Sequence, residues 1–479
     1  KLRFAMLLPI VVIFIIGYLL IALEHQIRID KAATALLLGM ILWTLYTIGA
    51  PYIIPLNDAA EFQHYISNST TLQSLPLAQQ CINFIVNVKV IEHLGDISEI
   101  LFFLIGAMTI VELIDIHGGF SIVTSHITTR KKQKLLWLLA IMTFFMSAIL
   151  DNLTTSIVMI MLLRKLISDQ KERWLFGSII VIAANSGGAW SPIGDITTIM
   201  LWVKGNVTTS GLVGYLLLPS LVSMLVPLLI ISRKIKGELN SGTETVVSNV
   251  GNAFTTRERM LILILGILGL IFVPIFKGFT SLPPFIGVMI SLGLLWIFTD
   301  CLYNKKRIDS SQQHRIPYVL KRIDTPTILF FLGILMAVAV LQATGILTAV
   351  ATWLDKEIHN IYIINILLGI LSSIVDNVPL VAAAIGMYPL PDPSTLSGSE
   401  TAYMMHFIQD GTFWQFLSYC VGVGGSMLII GSAAGVVVMG IERINFMWYL
   451  RRISFIALCG YLAGALVYIA EVLLTKGVL

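Results

Sequence analysis

Residues 145–159 read FMSAILDNLTTSIVM, and residues 371–384 read LSSIVDNVPLVAAA. Each places an Asp-Asn pair inside an apolar run, and the two pairs, Asp151-Asn152 and Asp376-Asn377, lie 225 positions apart. A carboxylate at the centre of a membrane helix costs roughly 2.5–3.5 kcal/mol on insertion scales, so each is a functional candidate by default. Two of them at corresponding places in the two halves of a chain point to a transporter with its ion site near the bilayer midplane.

The composition around these pairs fixes the class. The chain has 479 residues, 57% of them hydrophobic and 12% charged, with a mean hydropathy of +0.88. Soluble domains carry about 25% charged residues. Many apolar runs approach or exceed the ~20 residues that cross a bilayer as a helix. The short alternating segments of a β-barrel are not visible. An all-α polytopic membrane protein is expected, with the lipid bilayer and small cations as its partners. The net charge of +4 informs orientation and suggests no nucleic-acid partner. Cys81, Cys301, Cys420 and Cys459 stand singly, without metal-ligand spacing. The chain begins at Lys1 rather than Met, which leaves room for a processed segment before it, and its first apolar run reads as a membrane helix rather than a signal peptide.

Lysine and arginine near helix ends mark cytoplasmic loops. Arg130, Lys131, Lys132 and Lys134 place one end of the stretch 135–163 inside, and Arg164, Lys165, Lys171 and Arg173 place the other end there too. Such a segment has not crossed. It dips in from the cytoplasm as a helical hairpin with Asp151-Asn152 near its tip, which is tolerated where protein or a water-filled cavity covers the irregular backbone. The next stretch, 174–203, crosses and is broken by Asn185-Ser-Gly-Gly-Ala-Trp-Ser-Pro-Ile-Gly-Asp195. The span 211–232 returns to Arg233, Lys234 and Lys236.

The second half repeats the order. Crossings at 260–276, 284–299 and 326–343 lead to a stretch, 361–389, flanked by Lys356 and by the acidic Asp392, Glu400 and Asp410. It reads as a hairpin entering from outside. The stretch 413–440 crosses inward, broken by Gly422, Gly424, Gly425, Ser426 and then Gly431-Ser432-Ala-Ala-Gly435, before a last helix at 453–473. The run Ile100-Leu-Phe-Phe-Leu104 with Met108 recurs as Ile328-Leu-Phe-Phe-Leu332 with Met336. The expected fold is an inverted repeat, each half having five crossings, one of them a broken helix, plus a re-entrant helical hairpin. The first repeat is 1–232, a polar cytoplasmic linker is 233–257, and the second repeat is 258–479. Residues 51–97 read as a polar external loop. Both termini are expected outside, although Lys1 and Arg3 then run against the charge rule.

Sodium is a hard cation that takes oxygen ligands: carboxylates, amides, hydroxyls and free carbonyls of unwound backbone. The first hairpin offers Ser147, Asp151, Asn152, Thr154 and Thr155, and the first break Asn185, Ser186, Ser191, Asp195, Thr197 and Thr198. Ser372, Ser373, Asp376, Asn377, Ser426 and Ser432 answer them in the second half. Na⁺ is placed at Asp151, Asn152, Asp376 and Asn377, with Asp195 as the third carboxylate. The bland reading is helix capping, for which Asp and Asn are preferred and which Pro379 at an early helical position also suits. Ser would cap at lower desolvation cost, and capping and ligation are compatible. Glu99 reads as a proton-pathway residue and His93, which titrates near neutral pH, as part of pH sensing. Their plain alternative is solvation at a membrane boundary, as for Glu112 and Asp115.

The stretches EHLGDISEILFFLIGAMTIVELID (92–115), MSAILDNLTTSIVM (146–159), IAANSGGAWSPIGDITTIMLW (182–202) and SSIVDNVPL (372–380) closely resemble the NhaD-type sodium/proton antiporters of the ion transporter superfamily. The resemblance covers most of 92–232 and about 324–440. Related dicarboxylate transporters carry Ser-Asn-Thr at the hairpin tips, where this chain has Asp in place of Ser. The resemblance implies a bacterial cytoplasmic membrane protein, a homodimer with a scaffold part and an elevator-like transport part. It further implies interfacial arm helices at about 117–129 and 345–358. No enzyme activity and no cofactor beyond the transported Na⁺, Li⁺ and H⁺ is expected.

Burial disfavours the ionised form of a carboxyl group and a bound cation favours it. Cation and proton therefore compete for one group, which is sufficient for antiport when the site faces alternate sides. A Na⁺-coupled anion symporter on the same fold is the nearest alternative, but no Arg or Lys lies inside the breaks. An intramembrane aspartyl protease would need its two aspartates on intact facing helices rather than at hairpin tips.

Overall fold

The computed structural model describes residues 2–22, 27, 29–57, 59–119, 122, 129, 131–235, 237–238, 254–280, 282–306, 316–374, 377–391 and 401–476. Asp376, most of the 233–257 linker and most of the 117–129 arm lie outside the described residues. Among the described residues the chain is helical, with one isolated bridge between Lys131 and Glu238.

Among the described residues, eight helices are long and apolar enough to cross a membrane: Lys31–Pro55, Leu77–Ile116, Lys132–Leu150, Thr209–Ser232, Thr256–Thr280, Pro284–Lys306, Thr325–Ala343 and Phe446–Thr475. Five of these match the unbroken crossings read at 211–232, 260–276, 284–299, 326–343 and 453–473, and Lys132–Leu150 is the first limb of the expected hairpin. The helix Leu2–Ala22 contributes a shorter apolar stretch, Leu7–Ile21. The halves of the two broken crossings are not among the eight: Gln170–Gly188 has the length but starts with the charged Lys171, Glu172 and Arg173, and the other three halves are short. Helices Gln170–Gly188 and Ile196–Val203 flank one gap, and Thr412–Gly424 and Ala433–Glu442 flank the other.

One sequence reading is overturned. Residues 51–97 form no loop: helices Lys31–Asn57, Ala59–Ser67, Thr70–Gln73 and Leu77–Ile116 take up most of that stretch. In the Leu77–Ile116 helix Gln79 and Asn87 are exposed, while Cys81, Phe84 and Ile85 are buried. That is the one-sided burial of a 3.6-residue period, which polarity alone hides. His93 and Glu99 accordingly sit within a continuous helix rather than at its entrance.

The chain divides into two compact units, each drawing on both halves of the sequence. One comprises 1–102, 324–360 and 378–389. In it Lys31–Asn57 packs against Leu2–Ala22 and Thr325–Ala343, and Trp43 Nε1 donates to the Met336 carbonyl at 3.0 Å. The helix Ile346–Glu357, at the place of the expected second arm, starts after Gly345, whose φ is 74°. Tyr388 donates to Asp355 at 3.1 Å, which ties the end of the Asn377–Met387 helix to Ile346–Glu357.

The other unit comprises 103–323, 361–377 and 390–479. Here the helix Lys132–Leu150 stops at Asp151, and Asn152–Leu166 starts at the next residue. Both limbs pack on Gln170–Gly188. Lys132 Nζ lies 2.5 Å from Glu172 Oε1, so the stretch comes back to the end where it began. At that same end Glu442 is fully buried and pairs with Arg164 and Arg173, each at 2.8 Å. At the far side of the Ile196–Val203 half-helix, Thr208 N and Oγ1 donate to Asp410 at 2.8 and 2.6 Å.

Candidate cation site

Asp151 makes the turn between the hairpin limbs at φ 83°, ψ 160°. That backbone region is populated essentially by glycine and costs a side-chain-bearing residue of order 1–3 kcal/mol, a strain that persists where the surroundings over-determine it. Both carboxylate oxygens are engaged locally: Oδ1 accepts from Thr154 N at 2.7 Å and Oδ2 from Thr154 Oγ1 at 2.9 Å. Asp151 is therefore an N-cap, as the bland reading held.

The next residue leaves the hairpin. Asn152 Nδ2 donates to Asp195 Oδ2 at 2.7 Å and to Asn185 Oδ1 at 3.1 Å. Asn185 Nδ2 in turn donates to Ser432 Oγ at 2.9 Å. Asn152, Asn185, Asp195 and Ser432 are all at least 95% buried. One network thus joins the first hairpin to both broken helices. Asp195 closes the second half of its helix as a capping box, with its Oδ1 accepting from Thr197 N and Thr197 Oγ1, both at 3.0 Å. Its own backbone N–H donates to Thr198 Oγ1 at 3.2 Å. Capping and a place in the network coincide at this residue.

The two breaks are built alike. Ser147 Oγ donates to the Ala184 carbonyl at 2.6 Å, and Ser372 Oγ, 225 positions later, to the Val421 carbonyl at 2.9 Å. A Cβ on Gly187 would overlap the Phe144 carbonyl, and one on Gly424 the Gly369 carbonyl. Only glycine permits such approach of backbone to backbone. Asp195 and Ser432 are the N-caps of the two second halves, at φ −146°, ψ 147° and φ −141°, ψ 153°. Where the first half carries a carboxylate the second carries a hydroxyl, which accepts from Gly435 N at 3.2 Å.

The remaining candidates fall outside this network. Asn377 is buried as the first residue of the Asn377–Met387 helix, and forms no hydrogen bond to the network among the described residues. Ser426 is buried but turns back to the Val423 carbonyl at 2.7 Å. His93 and Glu99 are half-buried in the other unit, His93 with its ring 5.9 Å from Trp43. Sequence reading passed over Glu442, Arg164 and Arg173 as a cluster, because the two arginines served only as topology markers. It also passed over Ser156, one helical turn after Asn152.

These buried oxygens, set at two helix breaks, sit in a chain whose residues 18–407 match the family model described as citrate transporter, CitMHS. "Na(+)/H(+) antiporter NhaD" of Vibrio cholerae is 30% identical over 95% of this chain and 90% of its own length. The chain belongs to the NhaD family. Two plant relatives share more. "Sodium/proton antiporter 1" and "Sodium/proton antiporter 2" of Arabidopsis thaliana are each 42% identical over 96% of this chain, covering 71% and 98% of their own lengths.

Proposed function

We propose that the protein exchanges Na⁺, and also Li⁺, for protons across a membrane, at one site that cation and proton occupy in turn. The observation that carries this reading is the Asn152 amide. Its Nδ2 sits where the Asp195 carboxylate and the Asn185 carbonyl oxygen converge, at 2.7 and 3.1 Å. An amide N–H₂ between two oxygens does what a hard cation does there: it holds them together by positive charge. A cation entering between them takes the place of the amide hydrogens, and rotation of the Asn152 amide would turn its own oxygen to the ion. On cation release, protonation of Asp195 or Asp151 neutralises the charge left behind. Asp151 and Asp376 remain proposed carboxylates of the site together with Asp195, with Asn377, Thr154, Thr197, Thr198 and Ser426 around them.

The likeness of the two breaks supports an inverted repeat, whose order across 1–232 and 258–479 would make the tips of both hairpins meet the breaks. The Lys132–Glu172 pair supports a hairpin with both ends on one side. Alternating access by elevator-like movement of the site-bearing helices, in a homodimer, completes the proposal. The two plant relatives are more similar to this chain than the Vibrio protein. A bacterial cytoplasmic membrane is thus one possible host among energised membranes.

A carboxylate symporter is the second reading, favoured by the description of the matching family model. An anion would be met by a cationic side chain, and the gaps 189–195, 373–376 and 425–432 contain no Arg or Lys. The test is a pH-jump fluorescence assay on proteoliposomes with NaCl, LiCl, KCl and succinate added in turn. Proton movement on NaCl and LiCl alone is expected. A response confined to succinate with Na⁺ would replace exchange by symport.

A further inference from the structure

The Asn152–Leu166 helix carries a second pair of oxygens that the network does not use. Thr155 and Ser156 are fully buried, and neither Thr155 Oγ1 nor Ser156 Oγ has a hydrogen-bond partner among the described residues. Buried helical hydroxyls ordinarily bond back to the carbonyl one turn earlier. Thr109, Thr143, Ser178 and Thr344 do so here, at 2.6–2.8 Å. Two adjacent hydroxyls that do not are a cost the fold carries directly beside its polar centre.

Their position gives them a use. Ser156 is four residues after Asn152, hence on the same helix face and about 6 Å further along the axis. The next residue of that stripe, Ile160, lies against Gly177 and, like Val438, would be in contact with a Cβ added there, at 3.2 and 3.4 Å. One turn further, Arg164 reaches Glu442. Ser156 thus lies between the Asn152–Asn185–Asp195 layer and an apolar plug. The helices Gln170–Gly188 and Ala433–Glu442 both pack on this helix.

We propose that Thr155 and Ser156 form a second station for a monovalent cation of sodium or lithium size, one helical turn from Asn152, through which the ion enters or leaves the site. Two neutral hydroxyl oxygens suit a hard cation without the hold of a carboxylate, and conduction needs binding weak enough to let go. The Ile160–Val438 layer bounds the station on its other side. The proposal rests on cation exchange as described above.

The test compares T155V, S156A and the double variant with wild type in proteoliposomes, reading the Na⁺ and Li⁺ concentrations that give half-maximal proton movement. Each single change is expected to raise the Na⁺ value about tenfold, as for loss of one hydrogen-bonding group to a charge, and to alter the ratio of the Li⁺ to the Na⁺ value. T155S, which keeps the hydroxyl, is expected to behave as wild type. S156C, which keeps the volume but offers a soft sulfur, repeats the S156A result should that variant fold poorly. A structural role would move melting temperature and leave the Li⁺ to Na⁺ ratio alone. Folded variants with wild-type values for both cations overturn the second station while leaving antiport standing. A wild-type protein that moves no protons with either cation overturns both.

Discussion

The side-chain amide of Asn152, at the tip of one hairpin, lies 2.7 Å from the carboxylate of Asp195, which caps the far half of a broken helix 43 residues later. Two discontinuities of the chain are thus tied to each other by one buried hydrogen bond. The bond predicts energetic coupling. Asn152→Ala and Asp195→Asn should each reduce Na⁺-driven proton movement at least a hundredfold. In unfolding of the solubilised protein their double-mutant cycle should return an interaction of about 0.5–3 kcal/mol. Additive effects would mean that the two residues act apart.

Asp151 offers a separation of structure from function. Asn caps helices about as well as Asp, so Asp151→Asn should keep the bond from Thr154 N and leave the melting temperature within a few degrees. Na⁺-driven proton movement in vesicles should nevertheless vanish. Near-normal exchange in the folded variant would leave Asp151 with its cap alone.

Competition at one carboxylate fixes the sign of the pH dependence. A proton occupies the group at low pH and must leave before the cation binds, so the Na⁺ concentration for half-maximal rate should rise as pH falls. In the acidic limb the rise should approach about tenfold per pH unit for a single competing proton. Initial rates over a pH series give the slope, and a flat profile excludes a shared site.

Glu442 is fully buried between Arg173, 15% exposed, and Arg164, 45% exposed. Removing one partner of a buried pair leaves a charge uncompensated, at about 3–5 kcal/mol, whereas an exposed partner contributes about 1 kcal/mol or less. Glu442→Gln should therefore lower stability far more than Arg164→Gln, with Arg173→Gln between them. Urea unfolding of the solubilised variants ranks them, and a larger loss at Arg164 would contradict the burial argument.

Gly187 and Gly424 test the likeness of the two breaks. A methyl group at either would overlap a backbone carbonyl, of Phe144 or of Gly369, and backbone yields less readily than a side chain. Gly187→Ala and Gly424→Ala should each destabilise by about 1–3 kcal/mol or more. Gly214→Ala, with nothing within 4 Å of the new Cβ, is the matched control. Equal expression and melting of all three would show the breaks to be loosely packed.

The apolar runs, the Asp-Asn pairs and the glycine-rich interruptions are local features, and the sequence by itself determined from them an all-helical membrane chain whose two long crossings break where they do. Helix breaks need only Gly, Pro and a capping residue in one short stretch, and Asn185–Asp195 and Gly422–Ser432 supply those. Residues 77–92 show the limit of such reading. Gln79, Asn87 and Glu92 face outward from a buried stripe, which becomes evident only once a partner surface exists. Which oxygens meet is likewise a tertiary matter. Nothing along the chain distinguishes Asp195, which lies in the network, from Asp151, whose two oxygens turn back to Thr154. That choice follows from the packing of the hairpin on Gln170–Gly188 and Ala433–Glu442, which brings residues as far apart as Asn152 and Ser432 into one buried set.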